Sequence, residues 1–248
     1  MKHRTQKQLL KMLCAVLLSA SILMSFGAGC SYSDPPPTQT ATSQTADEPA
    51  AQTTAPALQT TAPAPVDSSE PDAGCDAVFY GDSLTKGNHF DEYFPQLRVV
   101  DFGIGGATIE DLTERVPEVA AYHPAKIFVE AGGNNLNSRN EDDCVELFRG
   151  LLDALREACP YAEIYVESIL PLDARIARQF DCSNRAIRSY NERLKELAAE
   201  YSMTYLDIYP LYEDGGELKK EMSRDGIHLF DKSCFAPWAE LLRPYLEP

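Results

Sequence analysis

Basic residues are scarce in this chain. Only 22 Lys and Arg face 38 Asp and Glu, a formal net charge of −16. So acidic a surface lacks the clustered cations that grip a phosphate backbone, so no nucleic-acid partner is expected. None of the seven cysteines lies at CxxC spacing, which removes the common zinc and dithiol patterns. Metalloprotease HExxH, a P-loop lysine, an EF-hand loop and a GxSxG elbow are all missing. No metal or cofactor is therefore expected. Residues 31–75 contain neither Lys nor Arg and almost no bulky apolar side chains. Such a segment cannot bury enough surface to offset its ordering entropy.

What remains divides the chain into three parts. Lys2, Arg4, Lys7 and Lys11 precede an apolar run from Met12 to Phe26, then small residues directly before Cys30. That is the layout of an export signal, too short for a comfortable membrane span. It resembles a bacterial lipoprotein signal, which implies removal of residues 1–29, lipid modification of Cys30 and a membrane-anchored, extracytoplasmic protein. Residues 30–75, rich in Thr, Pro, Ala and Gln, read as a tether. Residues 76–248 fit one domain with one core. This domain holds 32 acidic and 18 basic residues, a charge of about −14. Apart from Cys14 and Cys30, five cysteines remain, Cys75, Cys144, Cys159, Cys182 and Cys234; they are odd in number and read as small buried side chains with no assigned bridge.

Within the domain, strand and helix signals alternate. Apolar runs at 77–80, 98–102, 126–131, 163–170 and 204–208 predict five strands. Thr108 with Asp111 predicts a helix cap. Helical stripes follow, over Cys144 to Cys159, Ile187 to Tyr201 and Phe235 to Tyr245. The alternation predicts an α/β domain whose parallel sheet of about five strands is covered on both sides. In such sheets, ligands bind beyond the carboxyl ends of the strands.

Four short segments lie where this reading puts strand ends or loops: Gly81-Asp82-Ser83-Leu84, Gly103 to Thr108, Gly132-Gly133-Asn134-Asn135, and Asp225-Gly226-Ile227-His228. Ser83 sits where a strand runs into a turn, with the N-terminus of a following helix expected to face a developing anion. A serine hydroxyl needs an adjacent base to become a nucleophile. His228, three residues after Asp225, offers one ring nitrogen to the carboxylate and the other to the serine. His89 and His123 have no carboxylate three residues before them and read as surface or structural residues. The N–H groups of Ser83 and Gly106 and the side chain of Asn134 are candidate oxyanion donors. Asp82, Gly133 and Asn135 read as supporting residues of the turns. The Gly103 to Gly106 turn is no dinucleotide loop, because Thr108 stands where a third glycine is needed.

These four segments resemble the blocks of the SGNH hydrolases, the GDSL lipases and acylhydrolases, over nearly all of 76–248. The resemblance implies a flavodoxin-like three-layer α/β/α sandwich, a Ser83–His228–Asp225 triad, and an oxyanion hole of Ser83, Gly106 and Asn134. Two positions depart from the family pattern: Asn135 stands where Asp is frequent, and Asp101 where Asn is frequent. Both are expected to shape turns. The implied activity is hydrolysis of carboxylic esters through an acyl-enzyme. Short acyl groups such as acetyl on cell-wall or environmental carbohydrate are the leading expectation. Lysophospholipid or short-chain lipid esters, acyl transfer to a sugar, and glycan binding without catalysis are the alternatives.

Overall fold

The structure is a computed structural model, and residues 74–247 are described. The expected signal segment 1–29, Cys30 and all but the last two residues of the tether lie outside the described residues.

Strand β1 (Ala77–Gly81) is buried along its whole length. It leads through a turn to the short helix α1 (Phe90–Tyr93) and then to β2 (Val99–Gly103). Helices α2 (Ile109–Glu114) and α3 (Val116–Ala120) carry the chain back to β3 (Lys126–Glu130). Thr108 caps α2 as expected: its hydroxyl accepts from Asp111 N, and the Asp111 carboxylate accepts from Thr108 N at 2.8 Å. After β3 come a single turn α4 (Gly133–Leu136) and the long helix α5 (Glu141–Ala158). Asn140 caps α5, and Glu141, Asp142 and Asp143 complement its N-terminal partial charge. Strand β4 (Glu163–Glu167), helices α6 (Ala174–Phe180) and α7 (Asn184–Glu200), and strand β5 (Thr204–Leu206) follow. The chain ends with the turn α8 (Tyr209–Tyr212), a hairpin of β6 (Glu213–Asp214) and β7 (Glu217–Leu218), and helix α9 (Ala236–Leu246).

The five strands β1 to β5 form one parallel sheet in the order β2-β1-β3-β4-β5. This is the doubly wound order, and it places a topological switch between β1 and β3. Alternation along each strand sends side chains into two separate cores. Val78, Tyr80, Ile127, Val129, Ile164 and Val166 pack among the apolar faces of α2, α3, α5 and α7. Ala77, Phe79, Phe128 and Tyr165 pack among those of α1, α8 and α9. Register pairs Phe79 with Phe128 and Phe128 with Tyr165, so their rings stack across the sheet at 4.9 and 4.6 Å. The described residues thus form the three-layer α/β/α sandwich. All five described cysteines are buried.

Two strands are shorter than their apolar runs. The run at 163–170 pairs only to Glu167, because side chains then take over the backbone groups. Asn191 accepts from Ile169 N–H and donates to its carbonyl, and the Ser168 hydroxyl accepts from Ile208 N and Tyr209 N. The run at 204–208 stops at Leu206, because Pro210 sits in the first turn of α8 and directs the chain into it. The sequence reading also missed α1, α4, α6, α8 and the β6–β7 hairpin, each too short to show a period.

Gly81, at the end of β1, is a position of close backbone approach. A Cβ there would lie 2.1 Å from Thr85 Oγ1 and 2.4 Å from the carbonyl oxygen of Glu130. Gly81→Ala should therefore lower the unfolding free energy by about 1–3 kcal/mol or more. Urea denaturation of the two proteins checks this, and equal midpoints would show that the β1–β3 contact is loose.

Candidate active site

Ser83 follows β1 in a turn closed by a hydrogen bond from Lys86 N to the Asp82 carbonyl, 3.1 Å. The expected helix behind Ser83 is not there. Residues 83–87 are turn, and α1 begins only at Phe90, where the Asn88 side chain accepts from Phe90 N at 3.0 Å. Left-handed backbone at Gly87 and His89 interrupts any continuous helix. A helix partial charge is therefore not what faces a developing anion at Ser83, and individual N–H groups must serve instead.

His228 reaches Ser83 from the loop before α9. An isolated bridge between Ser223 and Leu229 closes that loop. Gly226 turns it at φ 86°, pressed so tightly on Asp173 that a Cβ would lie 2.7 Å from the Asp173 Cβ. Asp173 N in turn donates to the Gly226 carbonyl, 3.0 Å. Asp225 Oδ1 accepts from Ile227 N at 2.9 Å, from His228 N at 2.8 Å and from the Ser223 hydroxyl at 3.1 Å. Its Oδ2 lies 2.7 Å from His228 Nδ1, and His228 Nε2 lies 2.9 Å from Ser83 Oγ. An ionised carboxylate only accepts, so Nδ1 carries the ring proton and Nε2 accepts from the serine hydroxyl. Burial pushes the Asp225 carboxyl upward, but its bonds from the His228 ring and from the His228 and Ile227 N–H groups outweigh burial and hold it far below the usual carboxylate range.

The candidate oxyanion donors lie on the β1, β2 and β3 side. Ser83 N–H and Gly106 N–H make no hydrogen bond among the described residues. The Asn134 amide is already engaged, donating to the Ala107 carbonyl at 2.9 Å and to Asp82 Oδ2 at 3.3 Å. Asp82 is 2 % exposed, and its Oδ1 accepts from Leu84 N at 2.9 Å. Gly133 opens α4 with its Cα side toward the same carboxylate. Asn135 lies buried within α4. It accepts from Ile109 N at 2.9 Å and donates to Glu110 at 2.6 Å, fastening α4 to the start of α2. Asp101 likewise accepts from Gly87 N and Gly103 N, at 2.7 and 2.9 Å. His89 instead sits 3.3 Å from Glu92 on the surface. No group of three or more His, Cys, Asp or Glu among the described residues is arranged to hold a metal ion.

Residues 79–232 match the GDSL-like lipase/acylhydrolase family. The chain belongs to that family. Its fold recurs in solved structures. A GDSL-like lipase from Bacteroides thetaiotaomicron is 22% identical over 70% of this chain and 88% of that one, with a TM-score of 0.61. A carbohydrate esterase family 3 protein from Talaromyces cellulolyticus is 18% identical over 69% and 96%, TM-score 0.55. An acetylxylan esterase from Geobacillus stearothermophilus is 18% identical over 71% and 95%, TM-score 0.54. No curated protein gave a match. For this acylhydrolase the structure joins Asp225, His228 and Ser83 in one line and sets Asn134 against Asp82, and the sequence reading missed two residues that support them. Ser223 steadies Asp225, and its signal was a hydroxyl two residues before that acid. Glu130 lies buried beneath the serine turn, and its signal was a carboxyl ending the otherwise apolar run Ile127 to Val129.

The depressed Asp225 carboxyl contributes stability that is present above the unfolded value of about 4 and lost as pH falls through the folded value. Replacing it with Asn should remove that contribution. Denaturant titrations from pH 6 to pH 2 should show a shallower acid decline for Asp225→Asn than for the wild type, and parallel declines would contradict the geometry.

Proposed function

We propose that this acylhydrolase is a serine esterase that passes the acyl group of a carboxylic ester to water through an acyl-enzyme. One observation carries the reading: an unbroken line from Asp225 Oδ2 through the His228 ring to Ser83 Oγ, with contacts of 2.7 and 2.9 Å. Ser83 Oγ attacks the carbonyl carbon while its proton moves to His228 Nε2. Asp225 stays ionised and stabilises the imidazolium. The carbonyl oxygen, now an anion, meets the free N–H groups of Ser83 and Gly106. The Asn134 amide joins them by turning one hydrogen from the Ala107 carbonyl or Asp82. Collapse expels the alcohol, which takes the proton from His228. Water then attacks the acyl-enzyme, His228 accepts its proton, and the second collapse returns that proton to Ser83 Oγ with release of the acid. Each oxyanion donor contributes on the order of 3 kcal/mol to lowering the barrier.

For the substrate we infer a short acyl group, such as acetyl, on a carbohydrate. The recess beside Gly106 has a volume of about 250 Å³, and Asp111, Glu114 and Arg115 form part of its wall. Three charged side chains suit a long alkyl chain poorly. A wider cleft of about 740 Å³ begins at Leu136, two residues after Asn134, and is lined by Arg139, Asn140, Asp142, Arg178 and Ser183. Such polar walls suit a polyhydroxylated ligand. Phe230, 39 % exposed, stands two residues after His228 with the Arg224 guanidinium 4.5 Å from its ring centre. The carbohydrate esterase and acetylxylan esterase among the structural neighbours fit this reading. For the whole chain, we infer an exported enzyme held at a membrane through Cys30.

A fluorophosphonate probe should label the wild type and leave Ser83→Ala unlabelled, with kcat of that variant down by about 10⁴-fold or more. Labelling retained by Ser83→Ala would refute the assignment. In a panel of acetylated xylan, acetylated peptidoglycan and 4-nitrophenyl esters of rising chain length, acetyl esters should give the highest kcat/KM. A maximum at long chains, with no deacetylation of glycan, would move the substrate to lipid esters. Transfer of the acyl group to an added sugar would make the protein an acyltransferase.

A further inference from the structure

Beneath the nucleophile turn lie two carboxyl groups that the reaction scheme does not use. Asp82 is 2 % exposed and Glu130 is not exposed at all. They lie close enough for each carboxyl to act directly on the other. Glu130 ends β3 opposite Gly81 in the register with β1, and this places it under the serine turn. The groups that face Glu130 are Asp82, the Thr85 hydroxyl (3.4 Å to Oε2), Glu167 at the end of β4, and the phenol of Tyr190, which donates to the Ala131 carbonyl. None of them is a cation. The His228 ring also acts on Asp82, and it is engaged with Asp225 and Ser83.

Two carboxylates in contact, out of water and without a cation, cannot both be ionised. One proton must lie between them, and the donors decide where. Asp82 accepts from two N–H groups, Leu84 N and the Asn134 amide. Those bonds favour its charged form. Glu130 accepts only from a hydroxyl, and its Oε1 has no donor aimed at it. A proton on Oε1 turns that orphan acceptor into a donor toward Asp82 and satisfies both groups at once.

We propose that Glu130 is a positioning residue, held as a neutral carboxylic acid whose O–H fixes the Asp82 carboxylate, so that Asp82 in turn holds the Asn134 amide in register with the serine turn. The link runs from Glu130 to Asp82, then by one oxygen to Leu84 N, next to Ser83, and by the other to Asn134. It therefore sets the distance between nucleophile and oxyanion donor without touching substrate. Burial pushes both carboxyls up, but the Leu84 N–H and the His228 ring hold Asp82 to about 6, leaving it ionised at neutral pH, whereas the charges of Asp82 and Glu167 push Glu130 well above the usual carboxylate range. As pH rises, Glu130 loses its proton, two negative charges face each other, and the link to Asn134 is released.

The inference rests on reading Asn134 as an oxyanion donor, and the experiment separates the two. Wild type, Glu130→Gln and Glu130→Leu are compared with 4-nitrophenyl acetate from pH 6 to pH 10, with circular dichroism at each pH to register folding. Infrared spectroscopy follows the carboxyl C=O band. Wild type should lose kcat at alkaline pH while still folded. Glu130→Gln, whose amide also donates to Asp82, should keep kcat within about threefold at pH 7 and lose that alkaline fall. Glu130→Leu should lose about 10–100-fold in kcat with KM little changed, as expected of a displaced catalytic group. The infrared spectrum of wild type at pH 7 should show a protonated-carboxyl band that Glu130→Gln lacks. An alkaline fall that survives in Glu130→Gln, or a neutral-pH spectrum without the band that this variant removes, overturns the proposal. If Glu130→Leu does not fold, the pH profile and the spectrum of Glu130→Gln still decide. If no ester is turned over by any of the proteins, the esterase reading fails, and the band alone still reports the Glu130 proton.

Discussion

The hydrogen bond between Ser83 and His228 joins two residues 145 positions apart, and neither belongs to a helix or strand. A single bond of this kind is worth about 1 kcal/mol net, far less than the entropy of holding two loops in one geometry. It persists because each loop is fixed independently. On the serine side, buried β1 ends at Gly81 against Thr85 and the Glu130 backbone, and the Asp82 carboxylate draws in Leu84 N. On the histidine side, one carboxylate oxygen of Asp225 gathers three donors while the other takes the ring. The Gly226 turn is then pressed onto Asp173, just ahead of α6. The sheet carries the serine and Asn134, whereas packing of the last loop on α6 carries the histidine, so the site stands between two rigid bodies of structure rather than on a flexible arm.

Much of this could be read from the chain because the informative residues sit at the ends of long periods. The runs at 77–80 and 126–131 are buried on both faces and so nearly unbroken in apolar character. Their glycine-rich ends marked β1 and β3 to within a residue. The stripe from Cys144 to Cys159 spans four turns, and α5 appears where it was expected. Errors arose where side chains replace backbone pairing. Nothing local in Ser168-Ile169-Leu170 shows that Asn191, on a distant helix, will take the hydrogen bonds a strand neighbour would have made. The absent helix behind Ser83 has another origin. Lys86 would suit a helix, but Gly87 and His89 take left-handed backbone directly after it and stop one from forming. The engaged state of the Asn134 amide was not legible either, since its partner Ala107 lies 27 positions away.

The carboxyl edge of this sheet is also where stability is given up. On the face shared with Trp238, ring stacking from Phe79 through Phe128 to Tyr165 forms an apolar ladder, and two residues further along those strands come Glu130 and Glu167. Trp238 Nε1 donates to Glu167 Oε1 at 2.7 Å, yet burial still pushes that carboxyl up to about 8. An acid with a raised folded pKa loses stability as pH climbs from its unfolded value toward its folded one. At pH 7, keeping Glu167 protonated costs on the order of 3 kcal/mol relative to an ordinary glutamate. Apolar residues of similar volume at these positions would extend the ladder and stabilise the domain. They would also take away the acceptors and donors that pin the serine turn and the Trp238 side chain. A core built only for stability would continue the stack to the end of the strands. Here it stops one residue pair early, and one of the two carboxyls that replace it, Glu130, lies under the Ser83 turn, where rigidity is needed by the chemistry rather than by the fold.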